Sequence, residues 1–187
     1  MEKPILRNIL LSCGVAAVAA FTALPAQSQE FGCHSVPRFH VNAIEQKNDA
    51  GTLFAVKIRK PGDRSACKVT QGSADFVIGA SGDPLWFEAL TPRHLVMTRS
   101  TGPQGEVVIY DLDRRSHVVD APADEVAVDA SGATFWERKE AATRKNCPQF
   151  ARYRADGLGA VITAETKFDF ASGVATATGQ RRCDATQ

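Results

Sequence analysis

The chain has 187 residues, with 22 lysines and arginines against 21 aspartates and glutamates. That balance excludes a nucleic-acid binder, which needs a basic excess to neutralise phosphates. The length suits one domain with its own apolar core and is short for two.

The first 26 residues read as a secretory signal peptide. Lys3 and Arg7 precede the apolar run Ile9–Leu24, and the small residue Ala26 follows at a cleavage point. The run is too short and too rich in alanine for a membrane span, and Cys13 lies early in it, away from the position of a lipid-modified cysteine. Cleavage after Ala26 removes Lys3, Arg7 and Glu2 and leaves equal numbers of acidic and basic residues. The remaining chain, residues 27–187, is expected to form a single disulfide-stabilised domain in the periplasm or outside the cell.

Four cysteines survive processing: Cys33, Cys67, Cys147 and Cys183. An even number in an exported chain predicts disulfides. Three pairings are open, and the lower entropy of closing shorter loops favours Cys33–Cys67 with Cys147–Cys183. No two of the four have C-x-x-C spacing, so a zinc knuckle is not expected. His34, His40, His94 and His117 show no ligand pattern and read as surface or half-buried imidazoles. No metal or cofactor is expected.

Past a disordered-looking stretch at residues 27–32, Phe39 and Val41 alternate with polar neighbours, a turn falls at residues 47–51, and Phe54, Val56 and Ile58 alternate again, which predicts a hairpin. Pro61 and Gly62 break the pattern. A short strand follows near residues 74–79, then strands at Leu85–Leu90, His94–Arg99 and Glu106–Leu112. A further strand starts at Ser116, and the segment 124–137 reads as strand, turn, strand.

One short helix is expected near residues 146–157, with Asn146 as its cap, Pro148 near the first turn, Phe150 and Tyr153 on one face and Gly157 as the stop. A last hairpin turns at Ala171–Gly173. The fold class is therefore mainly β, an antiparallel meander forming a sandwich or open barrel with one short C-terminal helix.

The sequence A-S-G-x-x-x-W occurs at Ala80–Trp86 and again at Ala130–Trp136, 50 residues later. That offset is near the period of kelch-type propeller blades. The chain holds only about three such units, whereas a propeller needs at least four, so a blade-like meander is the better reading.

The segment from Cys147 to Phe170 and the terminal T-G-Q-R-R-C, preceded by V-V-I-Y-D-L and A-T-F-W-E, resemble a type of small exported bacterial protein with no established activity. The resemblance runs from about Leu95 to the end. It implies a periplasmic or secreted β-rich domain and carries no catalytic residues.

Two catalytic or metal-binding patterns begin in the sequence and break off. Around Ser81, Asp83 stands where the second glycine of a G-x-S-x-G elbow belongs, and a strand follows in place of a helix. Asp111 and Asp113 begin like a calcium loop, but Arg115 takes the next ligand position and no twelfth-position glutamate appears. These aspartates are expected to end a strand and shape its turn.

Charge is uneven along the chain: residues 111–129 carry a net −4 and residues 137–154 a net +4. Such patches can steer a partner. The expected binding surface comprises Trp86, Trp136, Arg138, Lys139, Arg144 and Lys145. The function expected is that of a non-catalytic envelope protein, a binding, inhibitor or accessory module for an unknown envelope protein or glycan. One alternative is a polysaccharide-directed enzyme using carboxylates such as Glu88 and Glu137 near the tryptophans. Another is a structural envelope-stress protein.

Overall fold

A computed structural model describes residues 31–187; the expected signal peptide lies outside the described residues. Four strands, β1 (Gly32–Ser35), β2 (Phe39–Glu45), β3 (Thr52–Ile58) and β4 (Phe76–Ile78), form one antiparallel sheet in chain order. Seven more form a second: β5 (Leu85–Leu90), β6 (His94–Arg99), β7 (Glu106–Asp111), β8 (Ser116–Val128), β9 (Gly132–Ala141), β10 (Gly159–Asp169) and β11 (Val174–Thr186). Among the described residues there is one α-helix, α1 (Phe150–Ala155), between β9 and β10. The expected mainly β meander is therefore present, with no closed barrel and without the separate blades of a propeller.

Strand β8 explains how a consecutive meander encloses a core. Its residues up to Pro122 pair with β7, and those from Ala123 onward pair with β9. Proline cannot donate to a ladder and is tolerated where pairing changes hands. The sheet folds back on itself at this bend, so β6 and β7 are covered on both faces. Leu95, Met97 and Val108 pack with Phe39, Val41, Phe54 and Val56 of the first sheet. Val96, Val107 and Ile109 pack with Phe135 and Phe168 of β9 and β10.

Burial on two faces is why β6 and β7 read as near-continuous apolar runs, whereas a strand with one wet face alternates. Phe39, Phe54, Phe135 and Phe168 are each at most 1% exposed, and each full burial stabilises by about 1.5–3 kcal/mol.

Both disulfides form with the expected connectivity, Cys33–Cys67 with a Cα–Cα distance of 5.6 Å and Cys147–Cys183 with 5.5 Å. They fit an oxidising compartment. The second ties the chain just before α1 to the last strand.

The A-S-G echo is turn chemistry, and it occurs a third time. Asp129 Oδ1 accepts from the Ser131 N–H, the Ser131 hydroxyl and the Gly132 N–H, and Asp169 Oδ1 accepts from the Ser172 N–H and hydroxyl. At Ala80–Gly82 the acid comes from another loop: Ser81 Oγ donates to Asp49 at 2.6 Å. Short carboxylates that bond the backbone two or three residues ahead favour such turns. A side chain is also excluded at Gly51, because a Cβ there would stand 2.6 Å from the Pro84 Cα.

Three local expectations need correction. The stretch read as disordered gives way to strand β1 at Gly32, which the Cys33–Cys67 bond and pairing to β2 hold in place. The N-cap of α1 is Gln149; Asn146 instead accepts from the backbone N–H and hydroxyl of Thr143 at 2.6 and 2.9 Å, closing the preceding turn. His40 and His94 are buried, at 4% and 1% exposure. Gly157 does end the helix, in the left-handed region, with Leu158 N donating to Tyr153 O.

Candidate binding cleft

Asp111 illustrates how the strand ends are built. It is 1% exposed and accepts from Arg93 Nε and Nη2 and from the backbone N–H groups of Asp113 and Arg114. Burial alone would push its carboxyl up. The Arg93 guanidinium and the two amides outweigh that and hold it below the usual carboxylate range. The expectation that this aspartate ends a strand and shapes its turn is met.

The bend in β8 opens a cleft of about 610 Å³ between the β8 bulge, the loop after β6 and the last strand. The bulge lies between Asp124 and Ala127, and within it Glu125 adopts φ 55°, a left-handed conformation unusual for a residue with a side chain. Arg182 of β11 holds it there. Nη1 and Nη2 donate to the two Glu125 oxygens at 2.9 and 2.6 Å, Nε donates to Asp184 at 2.7 Å, and the guanidinium lies 4.0 Å from the Trp136 ring centroid.

The opposite wall is the loop from Ser100 to Gly105. Trp86 Nε1 donates to the Ser100 carbonyl at 2.8 Å. Gly105 N donates to Asp124, and Arg138 donates to both Asp124 and the Gly105 carbonyl. Arg99, at the loop base, bonds Asp83, Glu106 and Asp120; its pKa is raised, chiefly by the Asp120 bonds. Glu88 completes the lining. Burial pushes its carboxyl up, partly offset by the Thr98 hydroxyl, which donates at 2.9 Å.

The cleft thus presents carboxylate oxygens paired with fixed arginines, loop backbone groups and one carboxyl biased toward its neutral form. The lining carries five acidic residues, Glu88, Glu106, Asp124, Glu125 and Asp184, against Arg182, with Arg99 and Arg138 bonded to Glu106 and Asp124, so the site offers hydroxyl groups mainly acceptors.

Of the residues expected to form a binding surface, three meet here, as supports of the walls. Trp86 anchors the loop, Arg138 ties the loop to β8, and Trp136 carries Arg182. The other three lie elsewhere. Lys139 pairs with Glu137 at 2.5 Å and lines a separate shallow groove with Glu140 and Arg181, while Arg144 and Lys145 are exposed in the turn before Cys147. The opposed charge blocks meet in one ion pair, Arg138–Asp124. Glu88 lines the cleft and Glu137 does not.

Arg182, Glu125 and Thr98 escape sequence reasoning because they come together only through the bulge and the last strand pairing. The one available signal is the position of Arg182 beside Cys183. Among the described residues no group of three or more His, Cys, Asp or Glu side chains is placed to hold a metal, and no helix is long and apolar enough to cross a membrane. The chain matches no protein-family model, no curated protein and no solved structure.

Proposed function

We propose that the protein is a binding module of the periplasm or the secreted fraction, and that the cleft at the β8 bend takes a hydroxyl-rich ligand, a glycan chain of the envelope. The observation that carries this reading is Arg182, held by Glu125 and Asp184 while stacked on Trp136 at the cleft wall. Carbohydrate recognition calls for preset acceptors and donors with little conformational freedom, and a concave site with a few convergent polar groups is the general form of a ligand pocket. Compartment is supported by the two disulfides and by the signal-peptide pattern of residues 1–26.

The test is calorimetric titration of the oxidised protein with fragments of envelope polysaccharide. Binding by the wild type that Arg182→Ala and Glu125→Ala weaken supports the reading. Absence of binding to every fragment, together with a stoichiometric protein partner in cross-linked envelope extracts, replaces it with an inhibitor or accessory role.

A second reading has one observation in its favour. The raised pKa of Glu88, in a cleft that other carboxylates also line, is the environment of a general acid in glycoside hydrolysis. Release of reducing ends from the same fragments, lost in Glu88→Gln, would favour an enzyme over a binder.

A further inference from the structure

A second cluster, at the far side of the first sheet and independent of the cleft, brings together two serines and a buried histidine. His40 of β2 stands opposite Ser35 of β1 in the strand register. Its Nδ1 is 2.7 Å from Ser35 Oγ, and its Nε2 is 3.5 Å from Ser65 Oγ in the loop after β3. The imidazole is 4% exposed, whereas both serines are exposed. Ser65 is fixed from both sides. Its backbone N–H donates to Asp63 Oδ1 at 2.8 Å, and Cys67, two residues on, is bonded to Cys33, two residues before Ser35. Arg59 ties the same loop down by donating to the carbonyls of Val36 and Asp63.

We propose that Ser65 is a nucleophile activated by His40, with Ser35 as the residue that positions the imidazole. A nucleophile and a base within hydrogen-bond reach, the base oriented in turn by a third group, is the arrangement that activates a hydroxyl, and such bonds are commonly long before substrate arrives. The tautomer required has Nδ1–H donating to Ser35 Oγ, which leaves the Nε2 lone pair facing Ser65. The charged groups nearest the ring are Arg59 and Asp63. Burial first, then Arg59, lowers the imidazole pKa, with Asp63 opposing, so the ring is an unprotonated base at neutral pH.

In the reaction, Ser65 Oγ bonds to the acyl carbon of an ester as its proton passes to His40 Nε2. The tetrahedral intermediate collapses, the carbon–oxygen bond to the alcohol breaks, and that alcohol leaves with the proton from His40. Water, deprotonated by the same nitrogen, then releases the acyl group from Ser65 and restores the hydroxyl. Because Ser65 stands on the surface, the substrate class is a small acyl ester carried on the outside of a larger molecule.

The test is labelling of the oxidised protein with a fluorophosphonate, in which Ser65 Oγ bonds to phosphorus, fluoride leaves and His40 takes the proton, followed by peptide mapping. The expected result is a stoichiometric adduct on Ser65. Its rate should fall at least about 100-fold in His40→Gln, within the usual range for a general base, and should fall with acid pH as the imidazole protonates. Ser35→Ala should label more slowly and with a shifted pH profile. Ser65→Ala, an exposed change that leaves the core untouched, should abolish the adduct, and its circular dichroism should match the wild type. No adduct on Ser65, or equal labelling of the wild type and His40→Gln when both are folded, overturns the proposal. Either result leaves the cleft reading as it stands.

Discussion

The guanidinium of Arg182 stacks 4.0 Å over Trp136 and grips both carboxylate oxygens of Glu125, so one side chain joins the last strand to the bulge of β8. Stacking and bidentate pairing both require a planar fork. Arg182→Lys keeps the charge and loses both. We expect about 1 kcal/mol of lost stability by urea unfolding, and at least tenfold weaker binding of an envelope glycan by calorimetry.

Among the described residues, Asp111 is the one buried carboxylate, and it accepts from four donors. Asp111→Ala leaves the Arg93 charge and two backbone amides unpaired, and the expected loss is about 3 kcal/mol. Its folded-state pKa lies below the ordinary 3.8. The stability it confers is therefore present above that value and is lost as pH falls through the folded-state value. Urea midpoints between pH 5 and pH 2 should fall more steeply in the wild type than in Asp111→Ala.

His94 sits edge-on to Phe168 and stacked near Phe170, and neither ring nitrogen has a partner among the described residues. Burial lowers its pKa, against the pull of Asp111 and Asp113 and with help from Arg93 and Arg114. The unfolded chain takes up a proton near 6.5 that the folded chain refuses, so stability declines as pH drops below 6.5. His94→Leu should flatten that decline in thermal melts between pH 7 and pH 5. His40, also lowered, contributes in the same window, and the double variant His40→Gln with His94→Leu should be flatter still.

Each disulfide closes a loop of about 35 residues, with separations of 34 and 36. Replacing the cysteines of either bridge by serine should cost about 3–4 kcal/mol in the chain-entropy view. Reduction of the intact protein should lower the unfolding free energy from guanidinium titration by about the sum of the two losses, and the midpoint with it.

The fold was largely legible in the sequence, because most strands advertise themselves locally. Phe39, Val41, Phe54 and Val56 alternate, and their hairpin lies where the period places it. The unbroken apolar runs of β6 and β7 also predict strands, and their lack of alternation follows from the fold-back at β8, which covers both faces. The helix lies within the expected segment, and its cap differs because Asn146 serves the preceding turn, which competes for the same side chain. Of the cleft, the sequence points to residues behind the walls, Trp86, Trp136 and Arg138, and to one lining residue, Glu88. Glu125 and Arg182 lie 57 residues apart and meet only after the final strand has paired, which no local pattern records. The Ser35, His40 and Ser65 cluster has no local signature either, because Ser65 reaches His40 only once the loop after β3 folds back over the first hairpin.

Because β8 gives one half of its length to β7 and the other to β9, the two halves of the second sheet share this strand, and the free edges lie at β5 and β11. A fluctuation that peels β9 away must loosen the strand that also seals β7, exposing Val107 and Ile109 to water. Amide hydrogen exchange across residues 116–128 should accordingly proceed as a single slow event, so that a protease meeting the folded protein finds its openings at the outer loops.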